Sequence, residues 1–171
     1  MFEPTSNSEF IDHIQITLAE EIGVGDRGAF YDGVGALRDV VQNHMFEMLA
    51  VTAMEQPRAF GADSIRNART EVLKHIFPIA DVGNDTLRGQ YDGYLKEKHI
   101  AQNSKTETLF AGKFFVDTPR WNGVPFYLRT GKKLKTKVTE ISLHYKKPLC
   151  TGDICFFRPD DVMRNVLSFR I

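Results

Sequence analysis

Apolar and polar residues alternate most cleanly over residues 11–20, where Ile14, Ile16 and Leu18 share one parity and His13, Gln15, Thr17 and Ala19 the other. A period of two predicts a strand buried on one face. Glu20 then ends that strand on its buried parity. After a glycine-rich turn, Gly23-Val-Gly-Asp-Arg-Gly28, the period lengthens. From about Asp32 to Met54 the residues Val34, Leu37, Val41, Met45 and Met48 recur at spacings of 3, 4, 4 and 3, which predicts one long helix ending before Pro57. A second helix is expected to open at Asp63-Ser64, either of which can cap it. It buries Ile65, Ala68, Val72 and Ile76 and is closed by Pro78. Residues 81–104 mix polar side chains with Gly83, Gly89 and Gly93 and predict mostly loop, with Asn84-Asp85-Thr86 as a turn.

From Thr106 the pattern returns to strands. Leu109–Val116 and Val124–Thr130 are expected to pair through a hairpin-type connection at Trp121-Asn122-Gly123. Val138–Lys147 is a third strand, with Ile141, Leu143 and Tyr145 on one face. Residues 165–171 alternate as a fourth, with Leu167, Phe169 and Ile171 together. Helices come early and strands late, so the expected class is α+β, with a mainly antiparallel sheet packed against helices. Domains rarely stop on their apolar register, so residue 171 is expected to be a point of truncation.

Composition narrows the function classes more than the fold. Apolar residues at 42% and charged residues at 26% describe an ordinary globular chain. With 22 basic against 22 acidic residues, neither disorder nor dedicated nucleic-acid binding is favoured. No run reaches the apolar length of a membrane helix, and the first ten residues lack the pattern of a secretory signal, so a cytoplasmic protein is expected. A chain of 171 residues leaves little room for both a dinucleotide-binding and a substrate domain. Cys150 and Cys155 read as reduced thiols rather than a disulfide framework.

Few residues carry candidate chemistry. His44 sits at the margin of the long helix's apolar stripe, where an imidazole can accept a proton near neutral pH; on position alone, a helix histidine bonded to a neighbouring element is the plainer reading. Asp39 lies five residues earlier, roughly 140° around an ideal helix. The two cannot stack unless the helix is distorted, and Asp39 also reads as a solvated polar-face residue. Arg129 to Lys137 holds five cations in nine positions, suited to a phosphate or carboxylate ligand or to a solvated hairpin end. Glu20 can bind sugar hydroxyls or simply be exposed. The turn Gly23-x-Gly25-x-x-Gly28 matches a dinucleotide-binding pattern, but no βαβ unit with a following acidic residue supports it.

Taken in order, these segments resemble one family. Ile11-Asp-His-Ile-Gln-Ile-Thr-Leu-Ala-Glu20, Arg27-Gly-Ala-Phe-Tyr-Asp32 and Gly35-Ala-Leu-Arg-Asp-Val-Val-Gln-Asn-His44 closely resemble glucose-6-phosphate dehydrogenase. So do Ala62-Asp-Ser-Ile-Arg-Asn67, Thr106-Glu-Thr108 and Arg120-Trp-Asn-Gly-Val-Pro-Phe-Tyr-Leu-Arg-Thr-Gly-Lys132. The resemblance implies that His44 is the general base on the C1 hydroxyl of glucose 6-phosphate, and that the C1 hydride passes to NADP to give 6-phosphogluconolactone, the first step of the oxidative pentose phosphate pathway. It implies Glu20, Asp39, Lys132 and Lys137 as substrate-binding residues and a homo-oligomer formed through the sheet. Val138 and Ser142 stand where some members have basic residues for a structural NADP, so that site is not carried over. Residues 1–171 are expected to be a partial C-terminal (substrate and dimerisation) domain, without the NADP-binding Rossmann domain, and to be inactive alone. The alternative is an inactive remnant that keeps a sugar-phosphate-binding or dimerisation surface.

Overall fold

The computed structural model describes residues 3–147 and 164–171; Cys150 and Cys155 lie outside them. The alternating segment forms β1 (Ile11–Ala19), with Ile14 and Ile16 fully buried. The late segments form β3 (Leu109–Phe115), β4 (Pro125–Gly131), β5 (Val138–Tyr145) and β6 (Val166–Arg170). With β2 (Thr86–Gly89) they make one six-stranded sheet in the order β2-β3-β4-β1-β5-β6. The β3–β4 hairpin and the β2–β3, β1–β5 and β5–β6 pairs are antiparallel. β1 runs parallel to β4, so the expected antiparallel setting of β1 holds on only one of its sides. A parallel neighbour requires a crossover, and the helical segments between the two strands provide it.

That crossover differs from the single helix the spacing predicts. α1 (Gly28–Ala36) is kinked at Gly35, whose φ of 71° departs from the helical path. A π-helix follows over Leu37–Met45, then α2 (Phe46–Ala53). A π turn spends one more residue than an α turn, so the stripe slips: Val41 and Met45 are buried as expected, but Leu49 and Ala53 take the place of Met48. α3 (Ala62–Lys74) is capped by Gly61 without a side-chain bond, not by Asp63 or Ser64; Asp63 pairs with Arg66 instead. Ile76 falls beyond the helix, in a bridge to Val116.

The segment 81–104 is more ordered than its composition suggests. Asp81 accepts the Asn84 amide at 3.1 Å and caps a single turn, α4 (Val82–Asp85). Asn84 and Asp85 therefore lie in a helix and Thr86 opens β2, rather than the three forming a turn. β2 draws its ladder from β3, a pairing that no local pattern reports.

The core lies between the helices and one sheet face. Ile14, Ile16, Phe110, Phe114, Phe126, Leu128 and Leu143 meet Val41, Met45, Leu49 and Ala50. Trp121 joins the layers, packing edge-on against Phe126 and donating its indole N–H to the Ala53 carbonyl at 2.8 Å. Phe169 shares this face in β6 yet stays half exposed. The opposite face is polar and open, with a cleft of about 710 Å³ bordered by Gln15, Thr17, Lys113, Tyr127 and Arg129.

Asp32 ties the long 90–107 segment to α1. Its carboxylate accepts from the Tyr94 hydroxyl at 2.8 Å, the Ala101 amide at 3.2 Å and the Ser104 hydroxyl, while its carbonyl accepts from Thr106 Oγ1 at 2.6 Å. Burial pushes the Asp32 carboxyl up, but the bonds from Ser104, Tyr94 and Ala101 together outweigh it and hold it below the ordinary aspartate range. A depressed carboxyl contributes stability that is complete above its unfolded-state pKa and is lost as pH falls through the folded one. The Ala101 and Ser104 resonances should therefore move together as pH is lowered below about 4. Asp32→Asn should remove that step; a step that persists in this variant would assign it to another carboxyl.

Candidate active site

The end of β1 and the turn after β4 are stitched together by main-chain bonds. The Glu20 amide donates to the Gly131 carbonyl at 3.0 Å, and the Leu134 amide donates to the Glu20 carbonyl at 2.9 Å. This stitching brings Lys132 Nζ to 2.7 Å from Glu20 Oε2. The lysine is 7% exposed, so the pair is shielded and its charges are felt more strongly than on the surface. The expected placement of Glu20 on the buried parity is thereby met by a cation.

Tyr31, on α1, forms the floor beneath this pair. Lys132 Nζ lies 5.2 Å above its ring, and its hydroxyl lies 3.5 Å from the Glu107 carbonyl. Burial, with the charges of Asp39, Glu107 and Glu20 nearby, pushes the Tyr31 hydroxyl far above the ordinary tyrosine range. It stays protonated, a donor rather than a base.

Asp39 and His44 both belong to the π-helix. Bonds from i to i+5 put residues five apart where residues four apart stand in an α-helix. The two side chains therefore share one side, one turn apart, and the 140° separation of an ideal helix does not apply. Asp39 is largely covered and lies 3.4 Å from Arg27 Nη2. His44 is exposed, with no hydrogen-bond or ion-pair partner among the described residues. β4, the strand that leads to Lys132, packs against the π-helix, whose buried residues are Val40, Val41 and Met45.

The basic run does not act as one cluster. Arg129 points to the open sheet face, toward Thr17. Lys133 pairs with Glu97 at 3.2 Å and lies over the Tyr91 ring. Lys137 is exposed in the turn before β5, with no ion pair to Glu20 or Asp39. Alternation along β4 sends Arg129 to one side, and only Lys132 enters the group around Tyr31. Tyr31 and Glu107 carry no signal as candidates in the sequence, because their part is played through backbone groups and a ring face.

The large cleft on the open sheet face is bordered by Arg129 but by none of Glu20, Tyr31, Asp39, His44 and Lys132; a smaller pocket of about 420 Å³ adjoins Tyr91, Lys132 and Lys133. Among the described residues no group of three His, Cys, Asp or Glu is placed to hold a metal, and no helix is long and apolar enough to cross a membrane.

The profile of the glucose-6-phosphate dehydrogenase C-terminal domain matches residues 1–171. The chain belongs to this family. The glucose-6-phosphate 1-dehydrogenase of Chlamydia pneumoniae is 45% identical over 157 residues, covering 86% of this chain and 30% of the relative. That of Borreliella burgdorferi is 42% identical across the whole chain, which covers 38% of the relative. The crystal structure of glucose-6-phosphate 1-dehydrogenase from Mycobacterium avium superposes on 98% of this chain with a TM-score of 0.90 at 40% identity, the match taking up 37% of that protein. A glucose-6-phosphate dehydrogenase solved in complex with glucose 6-phosphate superposes with a TM-score of 0.85 at 33% identity. The chain spans about a third of the length of the curated relatives it matches. Its family members are oxidoreductases of glucose metabolism.

The glycine-rich turn does not fit a dinucleotide pyrophosphate. The one glycine-rich candidate, Gly23 to Gly28, leads into α1, but a Cβ at Gly28 would collide with the Lys98 carbonyl. The 97–100 segment covers the helix entry that a pyrophosphate would need.

Proposed function

We propose that this chain supplies the sugar-phosphate half of a glucose-6-phosphate 1-dehydrogenase, as a partial C-terminal domain. The observation that supports the reading is the π-helix, whose register carries Asp39 and His44 on one side, together with the shielded Glu20–Lys132 pair over Tyr31. His44 is the base that takes the proton from the C1 hydroxyl, and its open ring nitrogens suit that role. Asp39 and Glu20 accept sugar hydroxyls. Lys132 and Lys137 bind the substrate as cations, and the Lys132 contact to Glu20 exchanges in part for a contact to the ligand. In the family reaction NADP accepts the C1 hydride; residues other than those described here hold it. The reading includes a cytoplasmic enzyme of the pentose phosphate route and a homo-oligomer joined through the sheet.

The test is NADPH absorbance with glucose 6-phosphate, on the 171-residue chain and on a polypeptide that carries it at the full length of its relatives. The long form should turn over and the short one should not, since proton removal without a bound nicotinamide has no hydride acceptor. Turnover by the short form, or none by a folded long form, would reject the reading. A long form that binds glucose 6-phosphate calorimetrically without turning over would instead identify a remnant.

A further inference from the structure

Glu107, at the entry to β3, meets the helix break at three points. Its carbonyl accepts the Ala36 amide at 3.0 Å, its Oε1 accepts the Leu37 amide at 3.0 Å, and the Tyr31 hydroxyl lies 3.5 Å from its carbonyl. These amides open the π-helix, where main-chain donors have no partner within the helix. A Cβ on Gly35 would lie 2.6 Å from Glu107 Oε1 and 2.8 Å from its Cδ. The carboxylate therefore fills the space that glycine leaves, at a φ of 71° that side chains rarely adopt.

Glu107 is itself held from both sides. Thr106 donates its hydroxyl to the Asp32 carbonyl, and the Thr108 amide donates to Gly89 at 2.8 Å. The Thr108 carbonyl also accepts the Lys132 amide at 2.9 Å, so residues 106–108 brace the sheet half of the site and the helix half together. We propose that Glu107 is a positioning residue for the dehydrogenase site: its carboxylate, seated against Gly35, caps the π-helix and holds the i→i+5 register that aligns Asp39 with His44. The inference rests on the reading of those two residues given above. Two effects make the carboxylate effective. A fixed acceptor for Leu37 decides where the first turn starts, and a negative charge at a helix start is favoured by its dipole. Without the cap, the tighter and commoner α register is available and rotates His44 away from Asp39.

Two measurements test it. In the long form, Glu107→Ala should lower kcat by about 10- to 100-fold while KM for glucose 6-phosphate changes by less than about threefold. Glu107→Gln, which keeps an acceptor oxygen for Leu37, should stay within about threefold of the parent. Gly35→Ala should impair kcat at least as much, and the double variant no further, because the two act through one contact. In the 171-residue chain, nuclear Overhauser contacts over residues 37–45 should keep the i→i+5 pattern in the parent and in Glu107→Gln and lose it in Glu107→Ala. An unchanged kcat in Glu107→Ala, or equal loss in the Ala and Gln variants, overturns the proposal. If the parent long form does not turn over, the functional reading is what fails. The register measurement then decides alone, and a register kept in Glu107→Ala overturns the capping role.

Discussion

Replacing His44 with asparagine should remove NADPH formation from the long form by a factor of about 10² to 10⁴ or more, with little change in glucose 6-phosphate affinity. Asparagine matches the imidazole's reach and keeps a polar group on the π-helix but cannot take a proton near neutral pH. Since His44 is exposed and makes no hydrogen bond or ion pair among the described residues, the substitution removes no such bond among them. Loss of turnover would therefore report chemistry rather than unfolding, which circular dichroism of the same sample should verify. Turnover within tenfold of the parent would remove His44 from the role of base and leave Asp39 as the nearest carboxylate on that side.

Trp121→Ala should produce the largest loss of stability, about 3–5 kcal/mol. The ring is 1% exposed, packs edge-on against Phe126 at 5.5 Å and donates to the Ala53 carbonyl at the end of α2. Truncation leaves a cavity between the helical layer and the β3–β4 connection, and it strands a buried acceptor. Trp121→Phe retains most of the packing and loses only the donor, so it should cost about 1–3 kcal/mol. Denaturant melts of the 171-residue chain measure both, with the midpoint falling and the slope unchanged. An alanine variant as stable as the parent would mean that this side chain does not tie the layers.

The strands were legible in the sequence because burial on one face writes a period of two. β1, β3, β4 and β5 lie close to where the alternation puts them, with Ile14, Ile16, Phe126 and Leu128 inward. The helical region was legible in extent but not in kind. A 3.6-residue period was assumed for Val34 through Met48, whereas Gly35 and Glu107 impose a wider turn on residues 37–45. The same assumption set Asp39 and His44 apart. β2 was missed because an edge strand of four residues takes its bonds from β3, and α4 because one capped turn is too short to show a period.

Of the candidate residues, Glu20 and Lys132 could be named from parity and from the family's motifs, but not as partners of each other. That pairing depends on the Glu20 and Gly131 backbones being bonded across more than a hundred residues of chain. Tyr31 and Glu107 act through a ring face, a carbonyl and a capping carboxylate, none of which leaves a periodic or compositional trace.

By itself, then, the sequence determined the strand faces, the α+β class and, through long ordered motifs, the family. It did so because burial parity and motif identity are local properties of the chain. Only the tertiary structure decided the helical register, the parallel β1–β4 pair and the grouping of Glu20, Lys132, Tyr31 and Asp39. Each of these depends on hydrogen bonds or charges between segments far apart in sequence, whose energies exist only once the backbone has brought them within about 3–4 Å.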